Sequence, residues 1–334
     1  MSANYHKGFL IPEYQNFNYI SNDYIKSFNL SISKKTRGEN DWEQLFKYPE
    51  YGMSIFYSTL GNDEIHGREI ALYPYFQVNL ISKNNFNFYK QIGFGLNYVS
   101  RKFNLQDNYL NISVGSHVNF HFNYKLGINY KLFEKVKLNT GLSFDHFSNA
   151  NMQEPNLGVN SLTFYSGLTY GIGQATEIKK RELSPHIKEN YFEVYYNFGG
   201  KRTRALASDF YLSSSLSLQG SRKVYRVFHL GLGLDLFYDQ SVQTEMKVAN
   251  SGKYKAIYDF QSGIHFSQAI VYDRLILVIQ EGIYMGLREK VNNHLFYNRG
   301  IIKYRIYDHL IVSLAMKSHL HILDYPEIGL GYKF

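Results

Sequence analysis

The 334-residue chain contains no cysteine, which excludes disulfides, thiolate metal sites and cysteine nucleophiles together. Aromatic residues make up 17% of it against only 6 prolines, a balance that suits many β-strands better than a helical protein, at a length that allows two domains. A net charge of +8 points towards phosphate-rich surfaces, but no reader motif accompanies it, so nucleic acid is not expected as a partner.

No window approaches the roughly 18 unbroken apolar residues of a membrane-spanning helix. Gly8–Pro12 is too short for the apolar part of a secretory signal, and the numbering is expected to follow removal of a leader or truncation of the chain.

Period-two alternation of apolar and polar residues recurs along nearly the whole chain. It predicts strands at 5–11, 24–34, 50–59, 67–81, 87–100, 117–132, 135–148 and 160–173. A second series follows at 189–198, 206–219, 226–238, 256–271, 274–285, 295–306, 309–317 and 326–334. In 119–132, Phe120, Phe122, Tyr124, Leu126, Ile128, Tyr130 and Leu132 oppose Asn119, His121, Asn123, Lys125, Gly127, Asn129 and Lys131. Runs of this length, with small or polar residues opposite bulky apolar ones, favour a barrel with lipid outside and a polar interior over a soluble sandwich.

The fold expected is therefore all-β, an antiparallel transmembrane β-barrel of about 14–16 strands. The alternative is an eight-stranded barrel plus a second β unit. Residues 1–173 form the part carrying the motif described below, and 174–334 the further strands that end in a C-terminal Phe. The connections 82–86, 133–134, 220–225, 272–273 and 307–308 are short, as periplasmic turns are, whereas 101–116, 149–159, 239–255 and 286–294 are longer, as external loops are. Two connections break the rule: 35–49, with the sole tryptophan, Trp42, suggests a short helix or plug, and 174–188 a seam between halves. Three basic clusters, Lys34-Lys35, Lys179-Lys180-Arg181 and Lys201-Arg202-Arg204, fall between strands and read as solvated loops suited to a phosphate-rich surface.

His146 and Ser148 lie two apart on strand 135–148, about 6.5–7 Å between α-carbons, on the same side as Leu138, Leu142 and Phe144. Asp145 points to the opposite side, into the lumen. A serine needs a neighbouring base to become nucleophilic, and histidine is the usual one. Asn160 opens the next strand on the same apolar face and can orient the imidazole by accepting a hydrogen bond. N–H groups near Asn149 and Ala150 are placed to stabilise an oxyanion. Because strand 135–148 runs outward, these groups converge on the outer-leaflet side of the wall. His319 and His321 share a face, but with no visible third ligand they do not predict a metal site, and no cofactor is implied. Gly115-Ser116-His117 reads as a loop anchor or as a segment approaching the site from the adjacent hairpin.

The run His146-Phe147-Ser148-Asn149-Ala150, then Pro155-Asn156 and Gly158, resembles the active-site signature of the lipid A 3-O-deacylases (PagL type) of Gram-negative outer membranes. The resemblance covers 1–173 and implies an eight-stranded barrel with its site facing lipid. It also implies His146 as base, Ser148 as nucleophile and Asn149 near the oxyanion. The family's acid, a glutamate fourteen residues after the histidine, falls on Asn160, which leaves the acid role with Asn160, with Glu154, or lost. Residues 190–334 are reminiscent of the longer lipid A deacylase-like proteins of Bacteroidetes. The expectation is an outer-membrane serine esterase acting on lipid A of lipopolysaccharide, with a non-enzymatic pore or structural barrel as the rival. A phospholipase is a third reading, and a homodimer is left open.

Overall fold

The structure, a computed structural model, describes residues 1–12, 21–173, 178–203, 209–285, 294–320 and 322–334. The chain divides into two compact units, Met1–Asn149 with Pro155–Glu182, and Ala150–Glu154 with Leu183–Phe334.

The first unit is a closed antiparallel barrel of β1 (Ser2–Ile11), β2 (Ile25–Lys35), β3 (Glu50–Thr59), β4 (Arg68–Lys83), β5 (Phe86–Val99), β6 (Val118–Lys131), β7 (Val136–Ser148) and β8 (Val159–Tyr170). The second closes in the same way from β9 (Asn190–Lys201), β10 (Tyr211–Lys223), β11 (Phe228–Asp239), β12 (Phe260–Tyr272), β13 (Leu275–Met285), β14 (Phe296–Arg305), β15 (Leu310–His319) and β16 (Ile322–Lys333). Among the described residues the strands total sixteen, but they do not form one sheet of 14–16. The edge of β1 is taken by β8, from Ser2↔Thr169 to Ile11↔Asn160, and that of β9 by β16. Both edges are thereby satisfied early, which leaves no open ladder to join the halves. This is the arrangement of an eight-stranded barrel plus a second β unit.

Alternation sets the two faces of each wall. Leu142, Phe164 and Leu168 point outward with about half their surface exposed, while Asn119, His121, Asn123 and Lys125 are buried within. An eight-stranded interior is just wide enough for side chains to fill it, so the polar groups there pair with one another. His121 Nδ1 lies 2.7 Å from Glu69 Oε1, and Asp145 accepts from Asn123 Nδ2 at 2.7 Å and Ser143 Oγ at 2.8 Å. The Tyr89 and Tyr165 hydroxyls meet at 2.7 Å across the lumen. They do so beside Gly127, where a Cβ would stand 2.0 Å from Tyr165 Oη and 2.8 Å from Tyr89 Cζ. In the second barrel the buried Arg299 bridges Asp235 Oδ1 at 3.3 Å and Glu327 Oε2 at 3.1 Å, and His265 Nδ1 lies 2.7 Å from Asp235 Oδ2.

The connections 84–85, 132–135, 224–227, 273–274 and 306–309 are short, and 100–117 and 240–259 are long. β16 begins at Ile322, four residues before the expected 326, so the link from β15 is tight rather than long. The connection between β2 and β3 holds the short helix α1 (Asp41–Leu45), which carries Trp42. Its Glu43 carboxylate accepts from the N–H groups of Arg37, Gly38 and Glu39 and from Asn40 Nδ2, between 2.7 and 3.2 Å. Within 174–188, residues 178–188 have no regular structure, and Arg181 Nη2 pairs with Asp41 Oδ1 at 2.9 Å. A second helix, α2 (Val242–Val248), lies between β11 and β12.

Candidate active site

The last turn of β7 lies against the start of β8, and the register places His146 directly opposite Asn160. Both side chains leave the wall on its outer face, because their neighbours Asp145, Phe147, Val159 and Ser161 point inward and are buried. Phe147 packs with Leu10, Ile25, Leu60, Val99, Val114 and Val159 into an apolar cluster that closes this end of the lumen. That cluster packs beneath the polar groups displayed at the strand end.

His146 Nδ1 lies 2.7 Å from Asn160 Oδ1. An amide oxygen can only accept, so Nδ1 carries the proton, and in the neutral imidazole Nε2 is the acceptor. Nε2 lies 3.4 Å from Ser148 Oγ, a contact long for a hydrogen bond but within the range that tightens when substrate binds. The sequence-predicted His146, Ser148 and Asn160 are thus brought together in the order a nucleophilic serine requires. Asp145 belongs to the lumen network, as its parity implies.

The segment after Ser148 is held in left-handed conformations, with φ of 56° at Ala150 and 61° at Asn151. The Asn149 backbone N–H donates to Asn156 Oδ1 at 2.8 Å, so that backbone donor is already engaged. Gly158 has φ +77°, and a Cβ there would sit 2.8 Å from His146 Cε1 and 3.4 Å from Ser148 Cβ. Its N–H donates to Ser113 O at 2.9 Å. These two contacts were not legible: the first needs the loop's return path, the second joins residues 45 apart in two different connections.

Beside the site, Phe122 and Phe120 on β6 stand opposite His146 and Ser148, and Phe94 stacks on Phe120 at 5.9 Å. Of the two readings open for Gly115-Ser116-His117, the contacts fit the anchor: His117 Nδ1 lies 2.8 Å from Val99 O and its ring stacks on Tyr98. His319 Nε2 lies 2.8 Å from the Tyr284 hydroxyl, and His321 is outside the described residues. Among the described residues no group of three or more His, Asp or Glu is placed to hold a metal ion.

The basic clusters divide. Lys34 is exposed, and Lys179 and Arg181 lie in a surface connection, pairing with Glu39 and Asp41. Lys201 is not a solvated loop residue: it ends β9, is buried, and meets Asp324 at 2.6 Å, Asp239 at 3.0 Å and Glu245 at 3.1 Å. A buried ammonium without such partners would be too costly to keep charged. Arg204 lies outside the described residues.

Fold and site together define a β-barrel whose wall carries a histidine, a serine and an amide in contact on its outer face. Residues 26–169 match the family described as lipid A 3-O-deacylase (PagL), and 190–334 match that described as acyloxyacyl hydrolase, C-terminal domain. The chain belongs to the lipid A 3-O-deacylase (PagL) family. Among solved structures it is similar to the outer membrane enzyme PagL, at 14% identity over 50% of this chain and 98% of that one, with a TM-score of 0.39. It is also similar to an outer membrane protein of Acinetobacter baumannii, at 9% identity over 100% of this chain and 96% of that one, with a TM-score of 0.18. A comparison with curated proteins gave no match.

Proposed function

We propose that the protein is an outer-membrane serine esterase that removes an ester-linked acyl chain, the 3-O chain, from lipid A of lipopolysaccharide. One observation carries the reading: Asn160 Oδ1, His146 and Ser148 Oγ are linked at 2.7 and 3.4 Å on the apolar outer face of the wall. Ser148 Oγ attacks the ester carbonyl while His146 Nε2 takes its proton. His146 then returns the proton to the departing sugar hydroxyl, and water repeats the sequence to release the fatty acid. Asn160 holds the imidazole in the productive tautomer, and the Asn149 side-chain amide faces the oxyanion.

In the first barrel, the loops 60–67, 100–117 and 149–158 share one rim, and the turns 84–85 and 132–135 lie at the other with the longer, helix-bearing connection 36–49. That asymmetry supports an outer-leaflet position for the site. Arg101 and Lys102 supply cations at the same rim for a phosphorylated headgroup. The lipid then reaches Ser148 by lateral diffusion. A pore is the less favoured reading, because side chains occupy both eight-stranded lumens.

The test is Ser148→Ala in the full chain, with mass spectra of lipid A from cells making either form. Deacylation should fall by at least about a thousandfold while the barrel still folds. Undiminished acyl loss in the variant would sink the mechanism, and equal action of the wild type on glycerophospholipids would replace the substrate assignment.

A further inference from the structure

At the end of the second barrel where β15 turns into β16 lies a partly open cavity of about 210 Å³. Along one side Lys201 meets Asp324, Asp239 and Glu245, and Lys317 Nζ lies 2.7 Å from Asp324 Oδ2. Two ammonium groups therefore face three carboxylates, and one negative charge is left over. Asp259 adds a second. Its Oδ2 accepts from the Tyr254 hydroxyl at 2.7 Å, while its buried Oδ1 has no hydrogen-bond partner. Glu154 and Arg202, which also line the space, offset one another in charge.

A second observation is independent of this charge. Tyr325 lines the same cavity, is 1% exposed, and its hydroxyl has no partner. Buried polar atoms are rarely left unpaired, so an unpaired hydroxyl and an unpaired carboxylate oxygen around one space mark where a ligand's groups belong. Phe237 and Tyr284 also line the space, with Lys317 Nζ over their rings at 5.0 and 5.5 Å. The surplus negative charge disfavours phosphate and other anions.

We infer that this cavity binds a small hydroxylated amine such as an amino sugar, its ammonium on Asp259 and a hydroxyl on Tyr325. The site is distinct from the His146–Ser148 chemistry and does not depend on it. The experiment is calorimetric titration of the purified full-length protein in detergent with glucosamine, using glucose and N-acetylglucosamine as comparators. Glucosamine should bind saturably, and both comparators, lacking the ammonium, at least about tenfold more weakly. Asp259→Asn should weaken glucosamine by about tenfold and Tyr325→Phe by severalfold, and Ser148→Ala should leave it unchanged. Absence of saturable binding by the wild type, equal binding of glucose, or undiminished affinity in Asp259→Asn would each overturn the assignment.

Discussion

The two barrels solve the interior in the same way and use their walls differently. In the first, Asp145 sits among His121, Asn123 and Ser143; in the second, Asp235 sits among His265, Tyr297 and Arg299. Both carboxylates are buried and fully engaged. The first barrel additionally displays His146, Ser148 and Asn160 outward, on a face otherwise made of Leu142, Phe144, Phe164 and Leu168. The second keeps its dense polar cluster, around Lys201 and Asp324, inside the wall. Asp145 and His146 are chain neighbours, and a single step of strand parity separates a lumen carboxylate from a group that can meet lipid.

That contrast can be broken by exchanging the kinds of damage. Lys201→Met leaves Asp239 and Glu245 without their cation and Asp324 with Lys317 alone, and should cost about 3–5 kcal/mol in urea unfolding of the detergent-solubilised protein. His146→Ala should cost less than about 0.5 kcal/mol in the same measurement while abolishing deacylation. Equal losses would erase the distinction between inner and outer polar groups. Gly158→Ala sharpens it: the added methyl group meets His146 Cε1, so deacylation should drop about a hundredfold with the unfolding midpoint shifted far less.

Asn160→Asp keeps the length of the acceptor and adds the charge that stabilises an imidazolium. Deacylation should rise about tenfold, and a fall would remove Asn160 from its orienting role. The smallest effect concerns Glu43, outside both walls. Burial alone would raise its pKa, but donors from Asn40, Glu39, Gly38 and Arg37 outweigh it and hold the carboxyl below its ordinary 4.5. The resulting stability is present above pH 4.5 and is lost as pH falls through the lower folded value. Glu43→Gln should therefore cost about 1 kcal/mol near pH 7, with the gap to wild type closing in acid.

The strands were legible because alternation over ten or more residues has one simple explanation, a wall with two unlike faces. The trio of His146, Ser148 and Asn160 was legible for a related reason: a hairpin fixes its own register, and its members lie within fourteen residues. Closure after eight strands was not legible in the alternation and came only from the family resemblance, because the pairing of Ser2 with Thr169 joins strands remote in the chain, and nothing in either strand names its partner. Lys201 was misread because Gly199 and Gly200 interrupt the alternation, so β9 seemed to stop at residue 198 when it continues to 201. Cavities such as the one beside Tyr325 depend on side chains from β9, β11, β15 and β16 at once and leave no local trace.

The contact of Tyr89 and Tyr165 over Gly127 has a consequence for how this chain can vary. The space that any larger residue at 127 needs is already held by two rings fixed to each other. A change at 127 is therefore tolerable only together with a smaller residue at 89 or 165. Across homologous sequences these three sites should behave as one inherited character, although they sit on three different strands.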